Sequence, residues 1–128
     1  RYRTVSRKLM LIGHPRQKVY LARGATDLRR SVDGLAAIIQ LEFELSPFDP
    51  CLFAFCNRRK DRIKILEWSD RGFWLHYFRL EKGKLPWPED NIAENPLDIT
   101  WQDLRQILEG IPLRPTNQRS ITQPKYTL

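Results

Sequence analysis

Residues 19–39, VYLARGATDLRRSVDGLAAII, join a short extended run to a helical one through a single glycine, and their reading decides the fold. Val19 to Ala22 reads as a strand, Gly24 supplies a residue free to take positive φ, and Thr26 or Asp27 offers an oxygen to the first unpaired helical N–H groups. A helix is therefore expected from about Leu28. Leu28, Val32, Leu35, Ile39 and Phe43 follow at helical spacing and form one apolar stripe, with Ala36 at its edge. Arg29 and Arg30 fall outside the stripe, in the first turn that the pattern predicts. Cations there oppose the positive end of the helix dipole, at about 0.3–1 kcal/mol each when exposed. Two readings stay open: a docked anion such as phosphate reverses that sign, or Asp27 and Asp33 neutralise the pair locally.

Beyond this helix Ser46, Pro47, Asp49 and Pro50 break the chain, and three apolar, aromatic-rich runs follow. These are Cys51 to Cys56, Arg62 to Trp68 and Phe73 to Leu80, joined by the hairpin-like connectors NRRKD and SDRG. Alternation sets Ile63 and Ile65 on one face of the middle strand, opposite Arg62, Lys64, Leu66 and Trp68. The apolar face is expected to pack on the Leu28 to Phe43 stripe. On the other, Trp68, Trp74 and His76 form either a stacking platform for single-stranded DNA or a surface covered by a second layer. Thr100 and Asp103 resemble a capping box, Ile99 and Leu104 a hydrophobic staple, and Gly110 with Pro112 ends the helix they start. The fold class expected is a two-layer α+β domain: an antiparallel meander of about four strands on one long helix, with a second, C-terminal helix.

Net charge is +7 over 128 residues, a size suited to one domain. The excess lies in the ends: residues 1–18 hold six Lys or Arg and no acid, and residues 111–128 hold three and no acid. The domain organisation expected is a basic N-terminal extension over 1–18, a single α+β domain over 19–110 and a polar C-terminal tail over 111–128. Within the middle, Arg58, Arg59, Lys60, Arg62 and Lys64 face only Asp61, while Glu89 to Glu109 is strongly acidic, so the domain should be electrically bipolar. Cys51 and Cys56 lie five apart in one strand, point to opposite faces and read as buried thiols of a reducing compartment. No apolar run approaches the length of a membrane span and no export signal is seen, which predicts a cytoplasmic chain without a membrane partner.

Two blocks, YLARGATDLRRSVDGLAAII and LFAFCNRRKDRIKILEWSDRGFWLHYFRLEKGKLPWP (Leu52 to Pro88), resemble the TnpB-type, Orf-two-like accessory proteins of insertion sequence family sixty-six. That family is unrelated to the RNA-guided nucleases that share its gene name. The string NRRxDRIKxLxW is the most specific part of the resemblance. Arg23 stands where a small residue or cysteine is frequent, Ala25 where proline is frequent and Val32 where phenylalanine is usual. The resemblance implies participation in transposition beside a separate, larger transposase that carries out the strand chemistry.

For the site residues, a two-stranded ribbon fits a DNA major groove, and its turn arginines suit phosphate or guanine contacts. DNA, either transposon ends or non-specific duplex, is the partner expected for Arg58, Arg59, Lys60, Arg62 and Lys64, with Arg29 and Arg30 beside them. The bland reading of Lys60 and Lys64 is protection of an edge strand against aggregation. Trp87, held between Pro86 and Pro88, is expected to be a surface anchor for the transposase. A second copy of the chain is a further partner, its acidic segment pairing with the basic tip. No nucleophile motif, phosphate loop or metal-ligand spacing is present, so no cofactor and no catalysis are expected. The alternative to DNA binding is a protein adaptor of the transposase complex without direct DNA contact.

Overall fold

The computed structural model describes residues 14–89 and 94–114. Its elements are β1 (Lys18–Leu21), α1 (Val32–Leu41), β2 (Cys51–Cys56), β3 (Arg62–Ser69), β4 (Gly72–Arg79), β5 (Leu97–Thr100) and α2 (Trp101–Leu108). The fold is α+β. The basic N-terminal extension and the polar C-terminal tail lie mostly outside the described residues.

The expected meander is present as β2, β3 and β4, joined through both predicted hairpins, but it is only part of a five-stranded mixed sheet ordered β4-β3-β2-β1-β5. β1 runs parallel to β2, with Val19 opposite Leu52, because the chain crosses over through α1 before returning to the sheet. The fifth strand, β5, pairs antiparallel with β1 and is additional to the strands expected. Its four residues alternate buried and exposed, a pattern too short to read as a strand without its neighbour.

The first helix is shorter than expected and starts at Val32 rather than near Leu28. Asp27 explains the delay: its Oδ1 accepts from the Arg29 backbone N–H at 3.0 Å, and its carbonyl accepts from Arg30 N–H at 3.2 Å. This local turn competes with helix until Ser31, which sits in extended geometry as N-cap. Arg29 and Arg30 therefore precede the helix instead of occupying its first turn, and the expected dipole penalty does not arise.

The helix packs on the opposite sheet face from the one expected. Leu35, Ile38 and Ile39 of α1 meet Phe53, Phe55 and Leu66, whereas Ile63 and Ile65 belong to a second core with Leu21, Leu52, Trp101, Leu104 and Ile107. Two apolar faces were hidden by the residues alternating with them: Leu66 shares its face with Arg62 and Lys64, so periodicity undercounted it. Both faces of β2 are buried, which accounts for its unbroken apolar sequence, CLFAFC. The architecture is consequently three-layered, with α1 on one face and α2 plus the Leu85–Trp87 segment on the other.

α2 starts at the predicted capping box, with Asp103 N–H donating to Thr100 Oγ1 at 3.0 Å and Thr100 N–H to Asp103 Oδ2 at 3.1 Å. Trp68 is not beside Trp74. It lies on the α1 face in an aromatic group with Phe48 and Phe73, each ring centroid 5.0 Å away. Trp74 remains 61% exposed, uncovered by α2. Cys51 and Cys56 are free, buried and on opposite faces, and burial pushes the Cys56 thiol up to about 12.

Candidate nucleic-acid interface

The loop leaving β1 is tied to the end of β2, and this brings the two sequence blocks together. Ala22 N–H donates to Ala54 O at 2.9 Å and Thr26 N–H to Cys56 O at 2.7 Å, continuing the β1–β2 ladder past the last paired residue. Gly24 takes φ +71° there, with its N–H on Pro88 O at 3.0 Å. The Thr26–Arg30 loop consequently runs beside the β2–β3 turn. A cleft of about 530 Å³ lies between them, lined on one side by Ala25 to Leu28 and on the other by Asn57, Arg58 and Arg59.

Asn57 organises the turn. Its Oδ1 accepts from Asp61 N–H at 3.0 Å and Arg62 N–H at 2.9 Å, while its Nδ2 donates to Asp61 Oδ1 at 2.7 Å. Lys60 takes φ +60°, the left-handed conformation that lets the chain reverse within these bonds. The bond from Asn57, followed by the Arg62 and Arg59 charges, holds the Asp61 carboxyl below its ordinary value. The turn is braced from behind by the segment after β4, through Leu80 N–H on Asp61 O at 2.7 Å and Leu85 N–H on Lys60 O at 2.8 Å. An asparagine opening a basic turn is a recognisable Asx-turn signal, and it is the residue that sequence reasoning passed over.

The expected cations divide into three groups. Arg58 and Arg59 stand at the turn and line the cleft; Arg58 has no ion-pair partner among the described residues, and Arg59, 80% exposed, approaches Asp61 only at 4.0 Å. Arg29, 90% exposed, forks onto Asp27 with Nε at 3.0 Å and Nη2 at 2.7 Å. Its hydrogen bonds hold Asp27 well below the usual carboxylate range, and the pair still presents guanidinium edges to solvent. Arg30, Lys64 and Arg62 form a second row on the α1 face: Lys64 Nζ donates to Arg30 O at 2.8 Å, and Arg62 Nε to Tyr77 OH at 3.1 Å. Gly34 leaves space for this row, since a Cβ on it would lie 3.0 Å from Arg30 Cβ. Lys60 belongs to neither row. Its ammonium is held by Glu89, a carboxylate distant in sequence that the charge count had assigned to the acidic half.

Trp87 is not a surface anchor. It is 3% exposed, packs in the core with Leu85, and its indole Nε1 donates to Ala22 O at 2.9 Å. This bond and the Gly24 contact fasten the Pro86–Pro88 segment to the β1 loop, so Trp87 shapes the site from beneath. No group of three or more His, Cys, Asp or Glu side chains comes together among the described residues, and none of their helices is long and apolar enough to cross a membrane.

Residues 17–118 match the family described as IS66 Orf2 like protein. An uncharacterized protein, y4hO, of Sinorhizobium fredii (strain NBRC 101917 / NGR234) is 34% identical over 101 residues, covering 76% of this chain and 83% of that protein. A second uncharacterized protein of the same strain, y4jC, is 22% identical over 107 residues, covering 84% of this chain and 90% of its own. No solved structure matches.

Proposed function

The chain belongs to the IS66 Orf2-like family, and from that premise we propose that it is a non-catalytic accessory protein of transposition that holds DNA on its basic turn. Membership ties the chain to insertion-sequence transposition; DNA contact is the step added here. One observation carries it. Arg58 and Arg59 on the β2–β3 turn line one cleft together with Ala25 to Leu28 of the neighbouring loop, which also carries Arg29 on its Asp27 partner, and all three arginines are exposed. Guanidinium groups so arranged suit phosphate oxygens, which accept their paired N–H donors. Arg30 and Lys64 add positive charge on the α1 face beside them, while Arg62 is paired with Asp61 at 3.2 Å. The adaptor reading loses its anchor with the burial of Trp87.

Electrophoretic retention of transposon-end and random duplexes across a salt series tests the proposal. Four to six phosphate contacts give a slope of roughly −0.9 per contact on logarithmic axes, and Arg58→Glu with Arg59→Glu should lower it by about 2. No retention of either duplex at any salt while the transposase still binds establishes the adaptor instead, and retention unchanged by the double reversal removes DNA contact from this turn.

A further inference from the structure

We propose that the outer edge of β4 is the interface of a homodimer, in which two copies of this strand pair antiparallel to join their sheets. The backbone shows which groups are available. Arg62 exchanges hydrogen bonds with Asn57 on the β2 side, and Leu80 N–H donates to Asp61 O at 2.7 Å. With Arg62 opposite Arg79, ladder alternation directs the N–H and C=O of Trp74, His76 and Phe78 toward β3, and those of Phe73, Leu75, Tyr77 and Arg79 outward. Among the described residues no strand pairs with that side. The edge is eight residues long and has no proline or lysine, and its exposed side chains include Trp74 at 61% on one face and Tyr77 at 56% on the other. Such an edge is what folded proteins normally shorten, charge or cover. The opposite edge, β5, is half as long and is guarded by the Lys18–Asp98 ion pair.

The chemistry at the strand ends selects a second copy as the occupant, and selects the register. Strands related by a two-fold axis keep residues of equal parity opposite each other, so the axis passes through one residue. Centring on Leu75 sets Arg71 against Arg79 of the other copy, a repulsive pair. Centring on His76 instead brings Arg71, just before the strand, toward Glu81 of the other copy at both ends of the interface, where that carboxylate accepts from Arg79 Nε of its own chain at 2.9 Å and has a second oxygen for the incoming guanidinium. Trp74 then faces Phe78 on one side of the joined sheet and Leu75 faces Tyr77 on the other. This pairing does not use the acidic segment, whose Glu89 already holds Lys60 in its own chain.

Disulfide trapping tests the axis directly. Across the two-fold, His76→Cys meets itself in a non-hydrogen-bonded pair with Cα atoms about 4.5 Å apart, within disulfide range. Trp74→Cys would be separated from its copy by roughly 13 Å along the strand. Both native thiols are buried and leave the new one to react. Expected results are a dimer by light scattering, oxidative cross-linking of His76→Cys but not of Trp74→Cys, and amide exchange at Phe73, Leu75, Tyr77 and Arg79 of the native protein slowed about tenfold as concentration rises through the dimer transition. A monomer at all concentrations up to about 1 mM overturns the proposal, as does a dimer in which those four amides exchange freely. Protection of the same amides in a monomer overturns it too, since the chain's own remaining residues would then cover the edge.

Discussion

Replacing Asn57 by alanine should unfold the site before it affects any charge. The side chain accepts two backbone N–H groups, from Asp61 and Arg62, in a half-buried position, and alanine leaves both without a protein partner. At about 1 kcal/mol net for each bond the loss is about 2 kcal/mol. The bond to the Asp61 carboxylate is left out of this figure, because that group keeps Arg62 as a partner at 3.2 Å. For a domain of roughly 100 residues the midpoint of thermal unfolding should fall by about 8–15 °C. Calorimetry, paired with urea unfolding at constant m value, reads it. Arg58→Ala, at the next residue but exposed, should stay within about 0.5 kcal/mol of the native protein and serves as the control. A loss below about 0.5 kcal/mol for Asn57→Ala would show that water serves those two amides equally well, and would refute the role given to Asn57.

Trp87→Phe keeps most of the ring but removes the buried bond to Ala22 O, so it should cost about 1–2 kcal/mol in urea unfolding; an unchanged midpoint would contradict the burial of the indole. Acid should destabilise the fold in a defined direction. Asp27 and Asp61 are both held below their ordinary values in the folded chain, so the stability they contribute is present in full above about pH 4 and is lost as pH falls through their folded values. The urea midpoint should decline below about pH 4, less steeply in Asp27→Asn; identical acid limbs would exclude Asp27 as a contributor.

Much of the local structure was legible in the sequence because it depends on near neighbours. Turn residues between alternating runs located both hairpins to within a residue, and Thr100 with Asp103 announced α2 through a capping pattern confined to four positions. The separation of Cys51 from Cys56 likewise followed from the strand period alone. The start of α1 was misjudged by a contest that periodicity does not weigh: Asp27 bonds the Arg29 N–H and forms a turn that outlasts the apolar stripe's first member, Leu28. Glu89 was counted with the acidic half although it neutralises Lys60, since an ion pair across 29 residues leaves no mark on composition.

By itself the chain determined its α+β character, the hairpin that carries the arginines and the family to which it belongs, because each rests on contiguous motifs whose geometry the backbone dictates locally. Tertiary structure alone decided that β1 lies parallel to β2, which sheet face receives each helix, that Trp87 turns inward, and that the Thr26–Arg30 loop closes on Arg58 and Arg59. Those choices are made by burial: apolar groups from remote segments leave water together, and that free energy is a property of the assembled layers rather than of any stretch within them.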